Sequence, residues 1–142
     1  IDIGMEKHIH PLNKQDVGKR MASTILNKTY GKATPTSPRM IKSEIEGSKV
    51  ILHFDYAGSG LVAKGGKLEE FSIAGKDKQF VFAAAVIEKR DGKDVVVVSS
   101  PKVEKPASVR YGWALNPIKA NLYSKEGFPA SPFRTDSWAY GL

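Results

Sequence analysis

The chain has no cysteine among its 142 residues, which excludes disulfides, thiolate catalysis and cysteine-ligated zinc. It also lacks any apolar run approaching the roughly 20 residues a membrane-spanning helix needs. No glycine-rich phosphate loop and no paired-carboxylate constellation is present. The Gly-x-Ser-x-Gly elbow of many hydrolases is missing too. The one serine with glycine on both sides, Ser59, has Ala57 and Leu61 where that motif requires glycine. It also lies among strand and turn patterns, not at a strand-to-helix turn. What remains is an ordinary globular balance, 41% hydrophobic and 26% charged, with length enough for a real core. The 22 lysines and arginines against 15 acids leave a net charge of +7. Those cations are spaced along a helix (Lys7, Lys14, Lys19, Arg20, Lys28, Lys32) or sit among acids in turns (Lys64, Lys67, Lys76, Lys78). Phosphate tracking needs clustered cations, so the pattern reads as a solvated surface and no nucleic-acid partner is expected.

The periodicity changes once along the chain. Asn13 is placed to cap a helix running to Tyr30, with Asp16 in the dipole-favoured first turn and Gly31 as the stop. Leu12 and Val17 have the spacing of a hydrophobic staple, and Val17, Met21, Ile25 and Leu26 form an apolar stripe opposite Lys14, Lys19, Arg20 and Lys28. The stretch Ala33 to Pro38, with two prolines and three hydroxyl residues, reads as a linker and a boundary. Beyond it apolar residues alternate. Met40 to Glu46 and Lys49 to Asp55 form a hairpin about Gly47, with further strands at Gly60 to Ala63, Glu70 to Ala74, Phe80 to Glu88, Asp94 to Ser99 and Ala107 to Trp113. Asp91-Gly92 is a strong hairpin signal. Short strands at this spacing predict an antiparallel β-sandwich. From Ala114 to Leu142 patterning fades into a tail rich in proline, asparagine and aromatics, expected to wrap a surface without forming core.

Chemistry gathers at the start of the chain. His8-Ile9-His10-Pro11 immediately precedes the helix cap, and Pro11 biases His10 towards extended backbone. A histidine on a turn fixed by a rigid element suits a general base. An exposed loop histidine, or one half of a His-x-His metal pair without a third ligand, are the competing readings. Asp2 ends the opening strand, placed either to orient an imidazole or to bind a turn amide. His53, alone in a strand, reads as structural. The residues thus supply a base and an orienting acid without a nucleophile. The opening Ile1-Asp2-Ile3-Gly4 reads as the end of a strand, as in a fragment or processed chain.

Ile1-Asp2-Ile3-Gly4, then Ile9-His10-Pro11-Leu12-Asn13-Lys14 and Val17-Gly18, resembles the last sequence block of the sialate O-acetylesterases, carbohydrate esterases of the SGNH-hydrolase type. Val109-Arg110-Tyr111-Gly112-Trp113, Asn121-Leu122-Tyr123 and the run from Gly127 to Asp136 resemble that family's C-terminal signature, and Gly58-Ser59-Gly60-Leu61 with Phe71, Ile73, Ala74 and Gly75 is similar as well. The resemblance implies a mainly β chain in three parts. Residues 1–32 would be the last piece of an α/β SGNH-hydrolase domain, 39–113 a β-sandwich, and 114–142 an extended tail packing back on the hydrolase part. It implies an acyl-enzyme mechanism with His10 as catalytic base and Asp2 as the nearest carboxylate matching a family position. Many relatives carry aspartate two residues before that histidine, where this chain has His8. The nucleophilic serine would come from a Gly-Asp-Ser-like block that nothing in this chain matches, hence from another segment or chain. An acetylated sugar, most of all sialic acid, would be the substrate, without cofactor, metal or membrane, in a secreted or periplasmic setting. The reading from a different class is a non-catalytic β-sandwich accessory or carbohydrate-binding module, with Tyr111, Trp113, Tyr123 and Trp138 as a sugar-stacking face.

Overall fold

Alternating apolar residues become strands that share one core. The computed structural model describes residues 1–139 and contains one helix, α1 (Lys14–Lys28), followed by ten short strands. Strands β1 (Arg39–Glu46), β2 (Lys49–Asp55), β7 (Lys93–Ser99) and β6 (Ala84–Arg90) form one antiparallel sheet in that spatial order. A second sheet runs β10 (Phe133–Arg134), β8 (Ser108–Tyr111), β4 (Phe71–Ala74), β5 (Val81–Phe82), and β3 (Leu61–Ala63) pairs with β9 (Leu122–Ser124). Val50, Leu52, Val96 and Val98 from the first sheet meet Phe71, Ile73, Val109 and Tyr111 from the second, with Leu61 and Leu122 from the third pair closing the cluster. The mainly β, antiparallel architecture follows. Asp91 and Gly92 both adopt positive φ, 50° and 77°, as the tight β6–β7 hairpin demands.

Three features depart from the sequence expectations. The single strand expected over Phe80 to Glu88 is two: β5 belongs to the second sheet and β6 to the first, with the chain crossing at Ala83. Periodicity cannot reveal such a crossing, because each half alternates correctly for its own sheet. The tail does contribute core. Leu122 and Ala130 are fully buried, β9 pairs with β3, and β10 pairs with β8. Pro117, Pro129 and Pro132 lie beside these strands and do not interrupt them. The last three residues of the expected tail, 140–142, lie outside the described residues.

The third departure concerns α1. Asn13 caps it as expected, its side-chain oxygen accepting from the Asp16 N–H at 3.1 Å. Its apolar stripe is exposed in this chain, with Met21 60%, Ile25 47% and Leu26 40% exposed, and Leu12 of the expected staple is 81% exposed. The polar side faces the protein instead. Thr34 donates its hydroxyl to the Ser23 carbonyl, Ser23 donates to the Pro35 carbonyl, Asn27 donates to the Thr34 carbonyl, and the Thr24 and Thr36 hydroxyls are 3.1 Å apart. The segment read as a linker is therefore a strap. Proline leaves its preceding and own carbonyls unclaimed by regular structure, free to accept from helix side chains.

Candidate active-site segment

His10 sits on a bend between an isolated bridge, Met5 to His8, and the capped start of α1. Both His8 and His10 are exposed. Among the described residues, no hydrogen bond reaches the His10 imidazole, and no carboxylate orients it.

Asp2 is engaged elsewhere. Arg20 clamps its carboxylate bidentately, both N–H···O distances being 2.8 Å, and the Tyr123 hydroxyl donates to the same carboxylate at 2.9 Å. Partial burial pushes the Asp2 carboxyl up, but these bonds and the Arg20 charge outweigh it and hold the group at about 2. Burial, followed by its bond to Asp2, pushes the Tyr123 phenol upward. The triad joins three distant pieces of chain: the opening residues, α1 and β9. It fixes the histidine-bearing segment against the β unit. Arg20, read from sequence as a solvent-facing cation, and Tyr123, read as a stacking aromatic, are the residues that sequence reasoning missed here. Nothing in a helical spacing of charges distinguishes a cation that finds a carboxylate 18 residues away.

Ser59 donates from both its N–H (2.8 Å) and its hydroxyl (2.7 Å) to Glu126, whose carboxyl these bonds lower to about 2. No histidine is among its partners, so it is a turn residue braced by an acid. His53 lies on the outer side of β2, its Nε2 3.5 Å from a Glu44 oxygen. Among the described residues no three His, Asp or Glu side chains gather as a metal site, and no helix is long and apolar enough to cross a membrane. Of the four aromatics read as a sugar face, Tyr111 and Tyr123 are buried and unavailable. Tyr111 accepts the Leu122 N–H in the core, burial pushing its phenol up to about 12.

Fold and segment together define a class: a β-sandwich unit with a histidine turn and a capped helix strapped to its side. In overall structure the chain is similar to a carbohydrate acetylesterase from Xanthomonas citri, with a TM-score of 0.89 and 44% sequence identity. The match covers 97% of this chain and 32% of that one, so the chain spans about a third of its relative's length. No protein-family model matches the chain, and no curated protein matches it.

Proposed function

We propose that this chain is the C-terminal part of a carbohydrate esterase that hydrolyses O-acetyl esters of sugars. The observation that carries the reading is the 44% identity to a carbohydrate acetylesterase along 97% of the chain. His10 is the general base: it removes the proton of a serine as that serine attacks the acetyl carbonyl, then protonates the departing sugar oxygen, and water hydrolyses the acyl-enzyme. The serine resides on a hydrolase segment outside these residues, of the SGNH type and from the same precursor or a separate chain, for which residues 1–32 supply the last piece. Sialic acid is the sugar the sequence resemblance favours, and a secreted or periplasmic site of action accompanies it. Asp2 acts by holding the histidine segment in place through Arg20 and Tyr123, since its oxygens already accept three hydrogen bonds.

The test is activity with and without the serine-bearing segment. The chain alone should not hydrolyse 4-nitrophenyl acetate, and adding the hydrolase segment should restore turnover that His10→Ala abolishes. Turnover by the chain alone, lost on Ser59→Ala, would overturn the reading.

A further inference from the structure

Beside the histidine segment, the outer face of the second sheet carries a built aromatic platform. Strand register aligns Arg134, Arg110, Ser72 and Phe82 across β10, β8, β4 and β5. Their neighbours one residue away, Phe133, Tyr111, Phe71 and Ile73, turn inward as core or against it. Adjacent strands lie ~4.8 Å apart, so the row spans roughly 14 Å. The Arg110 guanidinium stacks on Phe80 at 4.0 Å, and Arg134 lies over the Trp113 ring at 5.6 Å. The Trp138 ring lies 5.9 Å from that of Phe80. Asp136 ties the arrangement down. It accepts from Arg110 Nε and a terminal guanidinium nitrogen, both at 2.9 Å, and from the Ser108 hydroxyl, while lying 3.5 Å from Arg134. The Arg110 hydrogen bonds, which outweigh burial, hold the Asp136 carboxyl at about 2. The Arg134-Thr135-Asp136 run of the tail is thus the brace of this face.

At the end of the row a cleft of about 630 Å³ opens among Phe82, Phe80, Trp113, Glu70, Ser72 and Lys102. Phe82 is 84% exposed there and Trp113 40%. Glu70 holds a left-handed backbone, φ 61°, which a non-glycine residue adopts at a cost. No hydrogen bond from another described residue reaches its carboxylate. Rigid ring faces with a few polar groups at the rim are what an apolar-faced, hydroxyl-edged ligand requires.

We infer that this cleft is a carbohydrate subsite, binding neutral pyranose rings of the glycan that carries the acetyl ester, through stacking on Phe82 and Trp113 and hydroxyl contacts to Glu70 and Lys102. The inference rests on the esterase reading for its place in catalysis, though binding itself does not. Neutral rings follow from charge: both arginines of the row face Asp136, and the cleft offers one carboxylate against one ammonium. A row of this length accommodates more than a single ring. The position is also apt, because a second depression, lined by Ile1, Asp2 and Met5, shares Ala114 with the cleft, so the platform adjoins the first residues of the opening segment.

The experiment uses the intact enzyme and Phe82→Ala, a change at a side chain 84% exposed in this chain. Hydrolysis is measured on 4-nitrophenyl acetate and on acetylated neutral hexasaccharides of glucose, xylose and mannose. The variant should raise KM on at least one hexasaccharide about tenfold, the worth of one aromatic contact, with kcat and 4-nitrophenyl acetate turnover kept. Unchanged KM on all three hexasaccharides would overturn the inference, and so would an equal loss on both kinds of substrate, which marks Phe82 as packing against the hydrolase part. Should the intact enzyme hydrolyse no ester, the esterase reading fails by itself. Tryptophan-fluorescence titration with the unacetylated hexasaccharides then decides the subsite: saturable binding weakened by Phe82→Ala supports it, and no binding by the parent protein overturns it.

Discussion

The β unit, from Arg39 onward, and the opening 32 residues are held by different physics. In the β unit, apolar side chains from three sheets converge on a core in which Leu52, Ile73, Val96, Val109 and Leu122 have no exposed surface. The opening segment buries no helix residue fully, and it is fixed by hydrogen bonds: the strap from Thr34 to Thr36 and the Asp2–Arg20–Tyr123 junction. Burial near a close-packed core resists perturbation in every direction, whereas polar ties are worth about 1 kcal/mol each and fix orientation more than stability. The contrast suits a division of labour in which the β unit is a scaffold and the opening segment presents a side chain. It also explains why an apolar helix stripe stays exposed: the helix meets the β unit through its polar side.

Chemistry should break the comparison most sharply. In the intact enzyme, His10→Ala is expected to lower acyl-transfer rates by roughly three orders of magnitude or more, while His8→Ala costs far less. Steady-state kinetics on 4-nitrophenyl acetate separates them, and equal losses would point to a shared role for the two histidines.

Core truncation comes next. Leu122→Ala should destabilise the chain by about 2–5 kcal/mol, as a buried leucine does when its cavity stays open. Ile25→Ala on the exposed stripe should leave stability within about 0.5 kcal/mol. Urea unfolding of both variants measures the difference, and a comparable loss at Ile25 would place the stripe in the same cooperative unit as the core.

Acid sharpens the comparison further. Asp2 and Asp136 are both held at about 2, below the ordinary carboxylate value of 3.8. Groups depressed in the folded state contribute stability that is complete above the unfolded pKa and vanishes as pH falls through the folded one. Stability should therefore decline from about pH 4 towards pH 2. Asp136→Asn should flatten that decline for the β unit, and Asp2→Asn should flatten it only in probes of residues 1–32. Thermal unfolding across this pH range, followed by amide exchange, tests both. A pH profile untouched by Asp136→Asn would mean the Arg110 pair contributes nothing to folding.

The smallest effect belongs to Tyr123→Phe, which deletes one hydroxyl donor to Asp2 at a cost of about 1 kcal/mol. Amide exchange should quicken in the opening residues and leave β2 and β7 as they were. Uniform acceleration throughout would show that the junction supports the whole molecule.

Residue order by itself determined a good deal here. The Asn13 cap, the hairpins at Gly47 and Asp91-Gly92, and the inward set Val50, Leu52 and Phe54 were all legible, because cap chemistry, turn conformation and strand alternation act over a few residues. So was the place of His10 on a bend just ahead of the helix cap. What only the tertiary structure decided are relations between distant residues: the crossing at Ala83, the entry of Leu122 into the core, the choice of helix face, and the pairing of Asp2 with Arg20 and Tyr123. An aspartate ahead of a histidine looks the same in sequence whether it orients that imidazole or binds a guanidinium. Which partner it takes depends on where the chain folds back, and a carboxylate goes to the donors that desolvate it with the most complete hydrogen bonding.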